Sequence, residues 1–180
     1  MKDFLTIEIN EMKKGVIILG SSNSKGETFK AVKYISDKTA YPIVDLKTKN
    51  ILPFDYEFNN RNDDFLPLIK EIVDKYDLIV VATPVYWYTM SGTMKIFFDR
   101  ISDCLKTERE TGRRLRGMDL AVLSSGSDNN LKDGFHMPFI ESADYLKMNY
   151  TGNVHSWLED GNIPAEVVQN FDDFIKKIST

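Results

Sequence analysis

Nine consecutive residues, Gly20-Ser21-Ser22-Asn23-Ser24-Lys25-Gly26-Glu27-Thr28, hold the densest set of small hydrogen-bond donors in the chain. They follow a short apolar run, Gly15 to Gly20, and lead into a stretch with helical spacing, so they form a strand-to-helix turn. Backbone N–H groups at such a turn converge on a concavity at the positive end of the helix, which suits a phosphate. Ser21, Ser22, Asn23, Ser24 and Thr28 add side-chain donors, and Lys25 adds a mobile positive charge. At about 1.5–3 kcal/mol net per hydrogen bond to a charged group, roughly four such bonds would anchor a buried phosphate. The spacing is neither G-x-G-x-x-G nor G-x-x-x-x-G-K-[ST], so the usual dinucleotide and nucleoside-triphosphate loops lose their support. No cysteine stands beside the strand, which removes a thiol-phosphatase reading. A serine-rich turn that only caps its helix is the plainer reading of the same residues.

A second loop carries large apolar surface. Leu78 to Ala82 is an uninterrupted apolar run, rich in β-branched residues, that reads as a strand buried on both faces. Pro84 cannot donate to a ladder and marks the strand's end. Val85, Tyr86, Trp87 and Tyr88 follow in a loop, before a helix whose Met94, Phe97, Phe98, Ile101 and Leu105 share one face and belong to the core. Aromatics at the carboxyl end of a parallel strand stand where open α/β sheets bind ligands. Tyr86, Trp87 and Tyr88 also have the composition of a subunit interface. A phosphate turn beside an aromatic, partly apolar loop matches FMN, with the phosphate in the first and the ring against the second.

Alternating elements frame these loops. Thr28 to Lys38 reads as a helix with Ala31, Val32 and Ile35 inward, and Pro42 to Leu46 as a short strand. Asn50 to Asn62 reads as a polar, irregular loop, and Asp63 to Tyr76 as a helix capped by Asp63 or Asp64 with Pro67 in its first turn. The helix after the aromatic loop reaches Leu105, and Lys106 to Arg116 is a charged connection. Leu120 to Leu123 is the fourth strand, Ser124 to Asn130 a polar loop, Phe135 to Lys147 a helix and Asn149 to Val154 a less apolar fifth strand. Pro164 starts the last helix, with Val167, Val168, Phe171, Phe174, Ile175 and Ile178 at helical spacing. This alternation predicts an α/β fold, a doubly wound parallel sheet of five strands with helices on both faces. Five strands fit the flavodoxin-like order 2-1-3-4-5, in which strands 1 and 3 flank the switch point and bring the two loops together. Residues 14–180 read as a single domain, and residues 1–13 as a leader.

Composition narrows the class. A net charge of −4 argues against a general nucleic-acid binder. No apolar run approaches the ~20 residues of a membrane span, and the N-terminus lacks the apolar core of a signal peptide. The lone Cys104 excludes an internal disulfide framework and an iron–sulfur cluster. Cytoplasmic residence is expected by default.

In two segments, GSSNSKGET at 20–28 and TPVYWYTMSGTMKIFFDR at 83–100, the sequence resembles the NADPH-dependent FMN reductase-like group of the flavodoxin-like superfamily. A weaker third piece runs from Leu115-Arg116-Gly117 to Ser124-Ser125-Gly126. The resemblance implies that Ser21, Asn23 and Thr28 with the intervening amides hold the phosphate of FMN. It implies that Pro84, Val85, Tyr86 and Trp87 line the ring and ribityl chain, and that Ser125, Gly126 and Ser127 close the other side. It further implies a homodimer, NADPH or NADH as electron donor, and a small acceptor such as a quinone, nitro or azo compound. Two departures are visible: Asn23 stands where many relatives carry arginine, and the cysteine cluster of related iron–sulfur flavoproteins is absent. No side-chain acid or base is compulsory for hydride transfer, so no residue is assigned as catalytic. Backbone N–H groups between Val85 and Thr89 are candidates to stabilise negative charge on the ring. An electron carrier serving protein partners, or a flavin-free binding domain, are the competing classes.

The remaining chemistry-bearing residues have plainer expectations. Asp99-Arg100 reads as a helix-surface pair or subunit contact. Arg109, Arg113, Arg114 and Arg116 read as a solvated loop, with contact to a dinucleotide's extra phosphate as the alternative. His136 and His155 lack metal-ligand spacing, and Cys104 reads as an inert buried thiol.

Overall fold

Among residues 13–180, which the computed structural model describes, the chain alternates five strands with six α-helices. Of the expected leader only Lys13 lies among them; residues 1–12 lie outside the described residues. The strands are β1 (Gly15–Leu19), β2 (Ile43–Asp45), β3 (Leu78–Pro84), β4 (Asp119–Ser125) and β5 (Asn149–Ser156). They form one parallel sheet in the order β2-β1-β3-β4-β5, as the sequence predicts. The register runs from Gly15 opposite Leu78 and Leu78 opposite Asp119. The carboxyl ends of β1 and β3 therefore open side by side.

Helices α1 (Glu27–Thr39) and α6 (Ala165–Ile178) cover one face of the sheet. Helices α2 (Phe65–Lys75), α3 (Gly92–Lys106) and α5 (Met137–Leu146) cover the other. β1, β3 and β4 are buried along their whole length because both pleat faces meet helices, which is why they read as unbroken apolar runs. Val16 and Ile18 join the core under α2 and α3, whereas Ile17 and Leu19 join the core under α1 and α6. Each fully buried Ile, Leu, Val or Phe contributes about 1.5–3 kcal/mol. β5 is the polar edge strand, and its side chains alternate between exposure and burial. Lys13 Nζ lies 2.5 Å from Asp119 Oδ2, fastening the entry of β1 to that of β4.

Two expectations need correction. The stretch 106–116 contains a short helix, α4 (Arg109–Arg114), that buries Thr111 and Gly112 beneath α3. The loop after β2 is irregular as expected; within it Phe54 packs on exposed Tyr56 and half-buried Phe58 at ring separations of 5.0 and 5.9 Å. Arg100 is not on the surface. It has no exposed area, and its guanidinium is bound by Asp63 and by Asp103 Oδ2, the latter at 2.9 Å from Nε. It also donates to the carbonyls of Leu52 and Asn60, both at 2.9 Å, and lies over the Phe65 ring. Asp99 instead pairs with Lys95 one turn earlier. The two neighbours diverge because residues i and i+1 project from a helix in different directions.

Burial tends to raise the Asp63 carboxyl, but Arg100 and the amides of Leu52 and Phe65 outweigh it and hold the group below the usual carboxylate range. Arg100 thereby clamps the 52–63 loop to the middle of α3. Cys104 is buried as expected, and burial pushes its thiol up to about 12.

Candidate functional site

The site lies at the carboxyl ends of β1, β3, β4 and β5. Residues 20–28 leave β1 as a tight, self-bonded loop. Gly20 N–H donates to the Ala82 carbonyl at 2.8 Å, tying the loop's start to β3. Ser21 Oγ accepts from the Asn23 amide at 3.1 Å, and Asn23 Oδ1 accepts from the Lys25 amide at 3.1 Å. Gly26 N–H donates to the Asn23 carbonyl at 3.2 Å. Ser21 and Asn23 thus shape the loop with part of their bonding capacity, and Asn23 keeps its Nδ2 donors. Gly26 is the N-cap of α1 and provides no side-chain cap, so the first amides of the helix stay open to an external acceptor. A Cβ at Gly26 would stand 3.0 Å from Asn23 Nδ2, so a side chain there would press on the Asn23 carboxamide. Ser21 and Thr28 are buried, Ser24 and Gly26 partly exposed, and Ser22, Asn23, Lys25 and Glu27 exposed.

The aromatic loop is a two-residue hairpin. Tyr86 N–H donates to the Thr89 carbonyl at 2.9 Å and Thr89 N–H returns the bond at 3.1 Å. Between them Trp87 and Tyr88 both have positive φ, 49° and 64°, the signature of a type I′ turn. That geometry normally takes Asn-Gly, and an ordinary residue in it costs about 1–2 kcal/mol. Trp87 is 93% exposed and Tyr88 67% exposed, so neither recovers the strain by burial within the chain. Strain of this kind concentrates at ligand clamps.

Two side chains that the sequence reading passed over hold the hairpin. Ser91 caps α3 by accepting from Met94 N–H at 3.1 Å, and its hydroxyl donates to the Gly20 carbonyl at 2.5 Å. Thr83 Oγ1 accepts from Ser91 N–H at 2.9 Å. Ser22 Oγ and the Tyr86 hydroxyl lie 3.3 Å apart. The predicted meeting of the two loops is therefore direct.

Pro84 and Ser125 are buried at the ends of their strands, and the Ser125 carbonyl accepts from Val85 N–H at 2.8 Å. Beyond them opens a cleft of about 460 Å³. Val85, Trp87 and Tyr88 form one wall; Gly126, Ser127 and Asp128 form the other, with Lys132 at its edge and His155 beside them. Five of the expected residues line this cleft. The 21–28 loop, Pro84, Tyr86 and Ser125 do not line it; Ser22 meets Tyr86, the neighbour of the lining residues Val85 and Trp87. Of the N–H groups between Val85 and Thr89, those of Val85, Tyr86 and Thr89 already serve the protein, so only those of Trp87 and Tyr88 are open.

The arginine run lies elsewhere. Helix α3 starts at the site and spans 15 residues before α4 begins, about 22 Å at 1.5 Å per residue. Arg109, Arg113, Arg114 and Arg116 thus stand at the opposite end of the sheet, where Arg113 pairs with Glu110 and Arg114 with Asp74. They cannot reach a dinucleotide held in this cleft by the same chain. His155 has a structural task, and His136 is pushed below the usual histidine value by burial, with a smaller effect from nearby His155. Among the described residues no group of three or more metal-ligating side chains comes together, and no helix is long and apolar enough to cross a membrane.

The sequence profile described as NADPH-dependent FMN reductase matches residues 13–161. YwqN of Bacillus subtilis, described as an NAD(P)H-dependent FMN-containing oxidoreductase, is 28% identical over 174 residues, 87% of this chain and 90% of that protein. An NADPH azoreductase from a Bacillus species is 30% identical over 89 residues, about half of each chain. Among solved structures, the Trp repressor binding protein of B. subtilis superposes with a TM-score of 0.69 at 23% identity, covering 92% of this chain and 97% of that one. An FMN-dependent NADH-azoreductase of Bacillus anthracis, solved with FMN, gives a TM-score of 0.68 at 13% identity over 94% of this chain and all of its own. Both superpositions establish the shared fold.

Proposed function

Because the chain belongs to the NADPH-dependent FMN reductase family, we propose that it binds FMN at the loops just described and transfers reducing equivalents from NADPH or NADH to a small acceptor of the quinone, nitro or azo class. The observation that carries this reading is the direct junction of an uncapped helix start with a strained aromatic hairpin at the carboxyl ends of β1 and β3. FMN, when bound, supplies hydride acceptance at ring N5 and release of two electrons, chemistry that side chains lack.

The residues fit that group. The open amides at the start of α1, the exposed Ser22 hydroxyl and the Asn23 carboxamide offer neutral donors to a phosphate, with Lys25 beside them. Val85, Trp87 and Tyr88 offer an apolar wall to a flat ring, and Gly126 and Ser127 offer a close backbone approach opposite. The N–H groups of Trp87 and Tyr88, which make no backbone hydrogen bond within the chain, would be the hairpin's donors to negative charge developing on a ligand in the cleft. The exposed hairpin, together with exposed Met137, Ile140 and Tyr145 on α5, supports a homodimer with the site near the subunit boundary.

Steady-state kinetics test the reading. With FMN-loaded protein and varied NADPH or NADH against a quinone, a nitro and an azo acceptor, donor and acceptor should use the cleft in turn. Parallel double-reciprocal lines are expected. Intersecting lines from an obligatory ternary complex would overturn sequential use of one cleft, and absence of donor oxidation with every acceptor would overturn the reductase reading.

A further inference from the structure

We propose that His155 is a positioning residue that fixes the 126–130 wall of the cleft against the ligand. The imidazole stands at the carboxyl end of β5 and lines the cleft itself. Its Nε2 lies 2.9 Å from the Asp128 carbonyl, and its Nδ1 lies 2.8 Å from Ser124 Oγ. A carbonyl can only accept, so Nε2 donates to it; in the neutral imidazole Nδ1 then accepts from the serine hydroxyl. One ring thus ties the last turn of β4 to a carbonyl in the loop that leaves it.

The contact on the near side is equally close. A Cβ on Gly126 would lie 3.0 Å from His155 Cε1 and 3.2 Å from Nε2, so the imidazole packs directly on the Gly126 backbone. Gly126 N–H donates to the Ser156 carbonyl at 2.9 Å, holding the same loop to β5 from its other side. The remaining bonds of the loop are local: Asp128 Oδ1 accepts from Asn130 N–H at 2.8 Å, and Ser127 Oγ reaches the same carboxylate at 3.3 Å. Local bonds of that kind shape a turn without setting where it sits on the sheet. His155 and the Gly126–Ser156 bond supply that placement on the β5 side, while Leu131 packs on the core at the loop's far end. Ser127 and Asp128 line the cleft from the braced segment, so His155 acts on it through them.

This role rests on the flavin reading of the cleft, and the test separates the two. His155→Phe keeps a ring against Gly126 and removes both hydrogen bonds; His155→Gln keeps a donor within reach of the Asp128 carbonyl. Hydrogen exchange of the amides in 126–131 is measured on the FMN-free protein, and FMN affinity by absorbance titration. The expected result for His155→Phe is roughly tenfold faster exchange confined to 126–131, with exchange in β4 unchanged. Its FMN dissociation constant should rise about tenfold, with a shifted visible absorption band, since one loosened hydrogen-bonded wall is comparable to one lost bond. His155→Gln should return exchange and affinity to within about threefold of the parent, and it remains informative should the phenylalanine variant fail to fold. Parent-like exchange, or parent-like affinity and spectrum, in His155→Phe would overturn the assignment. A parent protein that takes up no FMN would overturn the flavin reading instead.

Discussion

The Trp87–Tyr88 turn allows a prediction in which stability and ligand binding move in opposite directions. Both residues occupy the left-handed region, with φ of 49° and 64°, and they are 93% and 67% exposed. Replacing them with the pair that a type I′ turn prefers, Trp87→Asn with Tyr88→Gly, removes strain of about 1 kcal/mol per residue at the low end of the range. Little buried apolar area is lost in exchange, because most of both side chains faces solvent. The FMN-free protein should therefore gain about 2 kcal/mol, and at about 2–4 °C per kcal/mol for a domain of this size its Tm should rise by about 4–8 °C. The same variant loses the aromatic wall of the cleft, and its FMN dissociation constant should increase about tenfold. Thermal unfolding by circular dichroism over a range of protein concentrations measures the first effect, and absorbance titration measures the second. An unchanged or lower Tm would refute the strain reasoning. A changed oligomeric state with parent-like FMN affinity would assign the aromatics to contact between copies of the chain.

Arg100→Met leaves the carboxylates of Asp63 and Asp103 buried without their cation. Urea unfolding should show a loss of about 3–5 kcal/mol, the cost of breaking a buried ion pair from one side; a loss below about 1 kcal/mol would refute the clamp. Because Asp63 is held below its ordinary value when folded, its contribution is fully present above the unfolded value near pH ~4 and fades as pH falls through the folded value. The stability difference between parent and Asp63→Asn should accordingly shrink as pH falls below about 4; a constant difference would refute the linkage. Burial keeps the Cys104 thiol protonated, with its pKa pushed up to about 12, so a colorimetric thiol reagent at pH 8 should label it only in denaturant.

The legible parts of the sequence were those where one physical demand acts alone. β3 and the apolar face of α6 follow burial on two faces and on one, and both were readable from spacing. The Ser-rich turn was readable because strand, small donors and helix follow in order. The hairpin was hidden because Trp-Tyr carries none of the Gly or Asn that mark positive φ. α4 was hidden because six residues rich in charge form a helix only through packing of Thr111 and Gly112 under α3. Arg100 left a usable signal: it falls in the stripe Phe97, Ile101, Cys104, with Asp103 three residues on, so its inward face was inferable from helical spacing. Asp63, 37 residues away, was not. His155 joins the cleft through a hydroxyl on the neighbouring strand and a carbonyl in another loop, a relation that only the folded sheet creates.

The central claim, that these loops form a flavin site, is tested most directly by the visible absorption spectrum of the purified protein before and after incubation with FMN and desalting. The account predicts bound-flavin absorption at about one FMN per chain, bleached anaerobically by NADPH or NADH. A protein that stays colourless after incubation, with FMN recovered entirely in the small-molecule fraction, would contradict it.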